Sequence, residues 1–315
     1  MKPKIYIDGS EGTTGLRIFE RVGCRDDIEI LTIDPALRKD TDERKKLINQ
    51  SDITFLCLPD AAAKEAVTLV DNDNTKIIDA STAHRVNPDW AYGFAELSSA
   101  HREAIKNGKR IANPGCHATG FVSIVHPLVA SNLLPADTVL TCFSLTGYSG
   151  GGKKMIAQYG DENRDAALGS PRIYGLTHSH KHLPEMQTVC GLEQAPLFSP
   201  IVADYYAGML VSVPFTAGQL KGISSLAQLH ECVADHYAGQ KMLRVMPLSA
   251  QADVGGFLAS NGCAMWDGLE IYVTGNDERM MLCARFDNLG KGASGAAIQN
   301  MNILLGCDEA TGLNL

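Results

Sequence analysis

Cys116 stands in the surroundings that read most directly as chemistry. It follows Pro114 and Gly115 in NPGCHATG and opens an apolar stretch running through Phe121, Ile124 and Val125. Proline and glycine punctuate the chain there, and the spacing of the apolar residues predicts a helix beginning at the cysteine. A thiol at a helix N-terminus lies at the positive end of the macrodipole, which favours the thiolate, and neighbouring backbone N–H groups can receive an oxyanion. Those are the requirements of a covalent nucleophile. The other eight of the nine cysteines lack that punctuation. Cys57, Cys142 and Cys283, for example, stand inside apolar runs, and all eight are expected to be small, reduced core residues.

A cysteine nucleophile needs a base, and THSHKHLPEM offers His178, His180 and His182, followed by Glu185. A carboxylate beside an imidazole fixes its tautomer and raises its basicity, so His182 with Glu185 is the expected pair. Alternating histidines on an extended segment also suit a metal, but no second ligand cluster of short spacing accompanies them, and no metal is expected. In DASTAHR, Ser81 and Arg85 fall just past an apolar strand, at the edge where doubly wound sheets bind ligands. The planar fork of Arg85 suits a phosphate or a carboxylate.

Near the start, KIYID leads into DGSEGTTG, which spaces Gly9, Gly12 and Gly15 at intervals of three ahead of an amphipathic stretch. A strand, a tight glycine turn and a helix N-terminus, in that order, supply the N–H groups and positive dipole that a dinucleotide pyrophosphate needs. Further on, Asp34 ends the second strand, where an acid commonly binds the ribose 2′-hydroxyl and favours NAD. Arg38 and Lys39 follow at once and would attract a 2′-phosphate, so these residues leave the choice between NAD and NADP open. A second cluster, GYSGGGKK, fits a phosphate-binding loop as far as Lys153, but Lys154 stands where a magnesium-binding hydroxyl belongs. It reads as a flexible loop lining a cleft.

The elements that position these residues follow from the apolar pattern. Through the first 115 residues short apolar strands alternate with helical stretches, which predicts a parallel sheet covered on both faces: an α/β, Rossmann-like, doubly wound domain. From Thr138 longer β-rich runs take over, with one strong helix near Ser225 to Tyr237, which predicts an α+β domain on a largely antiparallel sheet. Gly275, Asn276 and Asp277 mark a hairpin turn. The closing GASGAAIQNMNILLG recovers a helical period. The 315 residues carry 28 basic and 36 acidic side chains, a formal charge of -8 that disfavours nucleic acid as a partner. No apolar run reaches the roughly 20 residues of a membrane span, no export signal is visible, and the odd cysteine count suits a reducing compartment. A cytoplasmic protein is expected.

With these residues assembled, the chain resembles the N-acetyl-γ-glutamyl-phosphate reductase family, in the shorter of its two types. The resemblance runs end to end through DGSEGTTG, DASTAHR, YGFAEL, IANPGCHATG, HKHLPEM and DNLGKGASGAAIQNMN, in that order. It implies NADP(H)-dependent reduction of a small acyl phosphate, N-acetylglutamyl 5-phosphate, to the 5-semialdehyde in arginine biosynthesis. Cys116 takes the nucleophile position, and His182, backed by Glu185, is favoured as the base over His180, although the sequence does not separate the two histidines. His180 is set nearer the substrate, with Ser81, Arg85 and Asn113. The cofactor set is Gly9, Ser10, Gly12, Thr13, Thr14, Gly15, Asp34 and Arg38, joined by Asn288, Gly290 and Lys291 as the closing helix returns to the nucleotide domain. The implied domains are 1–116 with 291–315 for NADP and 117–290 for catalysis and oligomerisation. A homo-oligomer, dimer or tetramer, is implied. An aspartate-semialdehyde dehydrogenase using the same thioester chemistry, and an NADP-binding redox sensor without turnover, are the alternatives.

Overall fold

A computed structural model describes residues 2–250 and 254–315. The chain divides into two compact units, one of residues 1–114 and 293–313, the other of residues 115–292 and 314–315. In the first unit the order is β1 (Lys4–Asp8), α1 (Thr13–Gly23), β2 (Glu29–Leu31), α2 (Thr41–Gln50), β3 (Ile53–Leu56), α3 (Asp60–Thr68), β4 (Lys76–Asp79), β5 (Ala91–Tyr92), α4 (Ser99–Asn107) and β6 (Arg110–Ala112). The C-terminal helix, Gly295–Leu305, belongs to the same unit.

The six strands form a parallel sheet in the order β2-β1-β3-β4-β6-β5. Adjacent residues of one strand serve opposite faces, which explains why these strands are apolar nearly throughout. Ile5 and Ile7 of β1, with Phe55 and Ile78, pack against Ile18 and Val22 of α1 and Ala297, Ile298 and Met301 of the C-terminal helix. Tyr6, Leu56 and Ile77 point the other way, onto Leu47 and Ile48 of α2 and Ala63 and Ala66 of α3. Strand β1 lies between β2 and β3, so the strand order reverses beside the glycine turn, where such sheets bind ligands. The second strand stops at Leu31, three residues before the expected end at Asp34, because Asp34 caps a 3-10 turn begun by Pro35.

The second unit contains α5 (Cys116–Ala130), β7 (Thr141–Gly147), α6 (Gly152–Gly160), β8 (Arg172–Ile173), α7 (Leu183–Cys190), β9 (Leu197–Ala203), β10 (Met209–Thr216), α8 (Leu226–His236), β11 (Leu243–Val245), β12 (Leu269–Gly275) and β13 (Arg279–Phe286). Its seven-stranded sheet runs β11-β12-β13-β10-β7-β9-β8, with β11–β12 and β7–β9 parallel and the other pairings antiparallel. The expected hairpin joins β12 to β13: Gly275 has φ +109 and the Asn276 N–H donates to the Arg279 carbonyl at 2.9 Å. Helix α5 packs on one face of the sheet, where a Cβ on Gly120 would lie 2.3 Å from Val211 and 3.0 Å from Phe286. On the opposite face Phe143 registers with Ser212, and Met281 with Pro214.

Two expectations are corrected. GYSGGGKK is not a flexible loop: residues Tyr148–Gly151 form a 3-10 turn leading into α6, with the Tyr148 and Ser149 N–H groups bonded to the carbonyls of Tyr205 and Tyr206. All nine cysteines are free thiols, but Cys24 and Cys307 lie on the surface rather than in a core, because each follows the last turn of a helix. Among the described residues no helix is long and apolar enough to cross a membrane.

Candidate active site

Cys116 is the first residue of α5, and Gly115, in extended geometry, is its N-cap without a capping side chain. The Glu185 carboxylate accepts the Gly115 N–H at 2.8 Å, which fastens the third residue of α7 to the residue before Cys116. The chain also closes on Cys116 from its far end. A Cβ built on Gly292 would lie 3.0 Å from the Cys116 Cβ and 3.1 Å from the Phe286 ring, so only glycine fits the space there.

Around His117, the residue after this cysteine, the second unit gathers a cage of rings. The ring centroids of His117 lie 5.4 Å from His180, 5.6 Å from His182 and 5.2 Å from Phe198, and those of His180 and His182 are 4.8 Å apart. His117 bonds Ser144 Oγ through Nδ1 at 2.7 Å and the Tyr174 hydroxyl through Nε2 at 2.6 Å. Burial, with a smaller push from His180, takes the His117 pKa down to about 3, so the ring is neutral at pH 7. His180 is also held below its ordinary value, by burial and then by Lys181. Its Nδ1 accepts the His182 N–H at 3.1 Å, which leaves the proton of the neutral ring on Nε2. Burial raises the Tyr174 pKa, and the charge of a Cys116 thiolate raises it further, so the phenol remains protonated.

Of the three expected histidines, His180 and His182 enter this cage. His178 is exposed, at φ +52. The segment is not extended: it turns at His178 and enters α7, with His182 as the N-cap and Glu185 in the first turn. His117, Ser144, Tyr174 and Gly292 were missed. Only His117 carried a signal, its position beside the cysteine; Ser144 and Tyr174 lie 27 and 57 residues from it in sequence.

The residues expected at the substrate in the first unit form a braced network. Ser81 Oγ donates to Asp79 at 2.7 Å, and His84 Nδ1 shares the same carboxylate at 2.6 Å while stacking on Trp90. The buried Arg85 guanidinium donates to the carbonyls of Asn113 and Ala80 at 2.9 and 3.0 Å. Asn113 itself donates to the Ala293 carbonyl at 3.0 Å and accepts from Asn300 at 3.1 Å.

At the glycine turn, Gly9 has φ +86 and a Cβ there would meet the Cys57 carbonyl at 2.4 Å; a Cβ on Gly15 would meet the Gly9 carbonyl at the same distance. The Gly12 N–H closes the turn on Gly9 O at 3.1 Å. Helix α1 begins at Thr13 with no side-chain cap, and the Thr13 hydroxyl is buried without a protein partner. Exposed first-turn N–H groups, with Ser10, Thr13 and Thr14 beside them, fit a dinucleotide pyrophosphate. Asp34 accepts the Ala36 N–H at 2.8 Å, and Arg38 pairs with Glu11 of the turn.

The remaining expected cofactor residues lie in the second unit. Asn288 is buried and bridges two segments, accepting from the Gly208 N–H at 2.9 Å and donating to Ser149 Oγ at 3.0 Å. Gly290 and Lys291 begin a π-helical turn, and Lys291 is buried.

Residues 6–107 match the family described as semialdehyde dehydrogenase, NAD binding domain, and residues 116–288 match semialdehyde dehydrogenase, dimerisation domain. The chain is 48% identical over 310 residues to the N-acetyl-gamma-glutamyl-phosphate reductase of Brucella ovis, covering 97% of this chain and 100% of that one. The reductase of Brucella anthropi matches at the same identity, with 97% and 99% covered.

This chain belongs to the N-acetyl-γ-glutamyl-phosphate reductase family.

Among solved structures it is similar to aspartate semialdehyde dehydrogenase from Francisella tularensis, with a TM-score of 0.72, 13% identity, and 97% and 100% of the two chains covered. Aspartate semialdehyde dehydrogenase II of Vibrio cholerae gives a TM-score of 0.67 at 13% identity, covering 97% and 99%. At that identity the likeness is one of fold.

The depressed His117 pKa makes a prediction about acid. Its folded value of about 3 lies below the ordinary 6.5, so the unfolded chain binds more protons between those two pH values. The stability held by neutral His117 is complete above about pH 6.5 and is lost as the pH falls towards 3. Urea unfolding at pH 7.0 and 5.0 should show His117→Gln losing less stability between the two than wild type, by on the order of 1–2 kcal/mol. Equal losses would count against the buried neutral ring.

Proposed function

We propose that the protein catalyses the NADPH-dependent reductive dephosphorylation of N-acetyl-L-glutamyl 5-phosphate to N-acetyl-L-glutamate 5-semialdehyde, a step of arginine biosynthesis in the cytoplasm. The observation that carries this reading is Cys116 at the open N-terminus of α5, followed by His117, whose ring lies against those of His180 and His182, in a chain 48% identical to reductases of that name.

Cys116 Sγ attacks the acyl carbon, the bond to the phosphate oxygen breaks, and a thioester remains on the enzyme while inorganic phosphate leaves. First-turn N–H groups of α5 hold the tetrahedral oxyanion. NADPH, when bound, supplies the hydride that the thioester carbonyl requires. His182 receives the proton of the Cys116 thiol before attack and returns a proton as the C–S bond breaks to release the aldehyde. His180, with its proton on Nε2, is a donor to the substrate. Glu185 holds the Gly115 N–H and keeps His182 in register through the first turn of α7. Ser81, Arg85 and Asn113 position the segment leading to the nucleophile, and the buried Lys291 offers a cation for the phosphate. Gly9, Ser10, Gly12, Thr13, Thr14 and Gly15 hold the pyrophosphate, and Arg38 the 2′-phosphate.

The match to a dimerisation domain supports a homo-oligomer. The second sheet offers a face for it in the exposed Phe143, Leu197 and Met281. Charge placed there by Met281→Asp should lower the mass measured by light scattering to that of a monomer; an unchanged mass would assign the contact to another face.

Phosphate-dependent reduction of NADP by N-acetylglutamate semialdehyde tests the activity. Cys116→Ser should lower turnover about 10⁴-fold or more while leaving NADP binding intact. Turnover with aspartate semialdehyde alone would keep the mechanism and reassign the substrate, and NADP binding without turnover would favour a sensor. Arg38→Ala should weaken NADP binding about tenfold and leave NAD binding unchanged; unaltered NADP affinity would remove Arg38 from the site.

A further inference from the structure

Ser144, His117 and Tyr174 form a hydrogen-bonded chain whose direction is fixed at its buried end. Among the described residues Ser144 Oγ has one partner, His117 Nδ1 at 2.7 Å, and the Ser144 side chain is fully buried on the inner face of β7. The chain can be polarised in two ways. If the Tyr174 hydroxyl donated to Nε2, Nδ1 would carry the ring proton and donate to Ser144, leaving the serine hydrogen in the core with no acceptor. A buried donor left unpaired costs about 1–3 kcal/mol. In the opposite sense Ser144 donates to Nδ1 and Nε2–H donates to the Tyr174 oxygen at 2.6 Å, so the serine hydroxyl and both ring nitrogens are satisfied and only the phenolic hydrogen is left over. His117 is the second residue of α5, directly after Cys116, so its bond to the Tyr174 hydroxyl brings that phenol to the side chain next to the cysteine.

We infer that His117 is a positioning residue, held by Ser144 as the Nε2–H tautomer so that Tyr174 donates its hydroxyl hydrogen to the Cys116 sulfur or to the acyl oxygen bound there. Burial is what makes the device work: a ring that stays neutral cannot donate at both nitrogens, so Ser144 alone decides which nitrogen carries the proton. Tyr174 then contributes one oriented donor that complements the N–H groups of α5, without bringing a second charge to the nucleophile.

This inference rests on the proposed thioester chemistry for its kinetic arm, whereas its tautomer arm stands alone. In ¹⁵N-labelled wild type, with His117 assigned by its absence from the spectrum of His117→Gln, the ring should show a protonated Nε2 and a bare Nδ1. A protonated Nδ1 overturns the inference whatever the substrate proves to be. In turnover, Tyr174→Phe should lower kcat about 100-fold and Ser144→Ala about tenfold, with KM nearly unchanged. In the Tyr174→Phe background, Ser144→Ala should cost nothing more, because the hydrogen it orients is gone. Losses that multiply, or that fall on KM, would reduce the three residues to a structural brace and overturn the proposal; folding of each variant is checked by its urea midpoint.

Discussion

The bond from the Gly115 N–H to Glu185 is the contact on which the geometry of the cysteine centre depends. A helix N-terminus leaves its first N–H groups without intrahelical partners, and capping side chains normally take one of them. Here Gly115 has no side chain to offer, so the groups that would have been capped remain available to an oxyanion. A carboxylate from another helix instead holds the N–H just before the turn. Because Glu185 is three residues beyond His182 on the first turn of α7, the same bond that steadies Cys116 also sets where His182 stands. Removing it would loosen Cys116 and His182 together.

The electrostatics of the cage narrow what activates the thiol. A protonated imidazole beside a cysteine is a common way to stabilise a thiolate. His117 adjoins Cys116 but is neutral at pH 7, and burial works against the charged form of His180 as well. That leaves His182, the base of the proposed mechanism, and the positive end of α5, about 0.3–1 kcal/mol at exposed sites and up to about 2 kcal/mol when partly buried, together with directed hydrogen bonds.

How much of this was legible in the sequence depended on the distance over which each residue finds its partner. The helix opening at Cys116 could be read because proline, glycine and an apolar period all lie within one turn of it. The glycine turn and the alternation of β1 to β6 with helices are equally local. Tyr174 could not be read, because its role arises only when β8 and its following turn bring it to His117 across 57 residues. Arg85 was expected to grip an anion from its place past β4, where the sequence cannot show that the carbonyls of Asn113 and Ala80 occupy two of its nitrogens. The surface positions of Cys24 and Cys307 were missed for a different reason, since composition gives no sign of which helix end a small apolar side chain will leave.

The cofactor preference turns on an exposed triangle of charge in the first unit. Asp34 looked like a ribose ligand, but one of its oxygens caps the turn begun by Pro35, which weakens its claim on a 2′-hydroxyl. Arg38 is paired with Glu11, with 39% and 63% of the two side chains exposed. Exposed ion pairs contribute only about 0–1 kcal/mol. A phosphate monoester, with roughly twice the charge of a carboxylate and a geometry that matches the guanidinium fork, therefore displaces Glu11 at small cost. Glu11 holds Arg38 beside the glycine turn, so in the function proposed above the guanidinium would already be oriented when the cofactor arrives, and the balance of these terms would favour NADP over NAD.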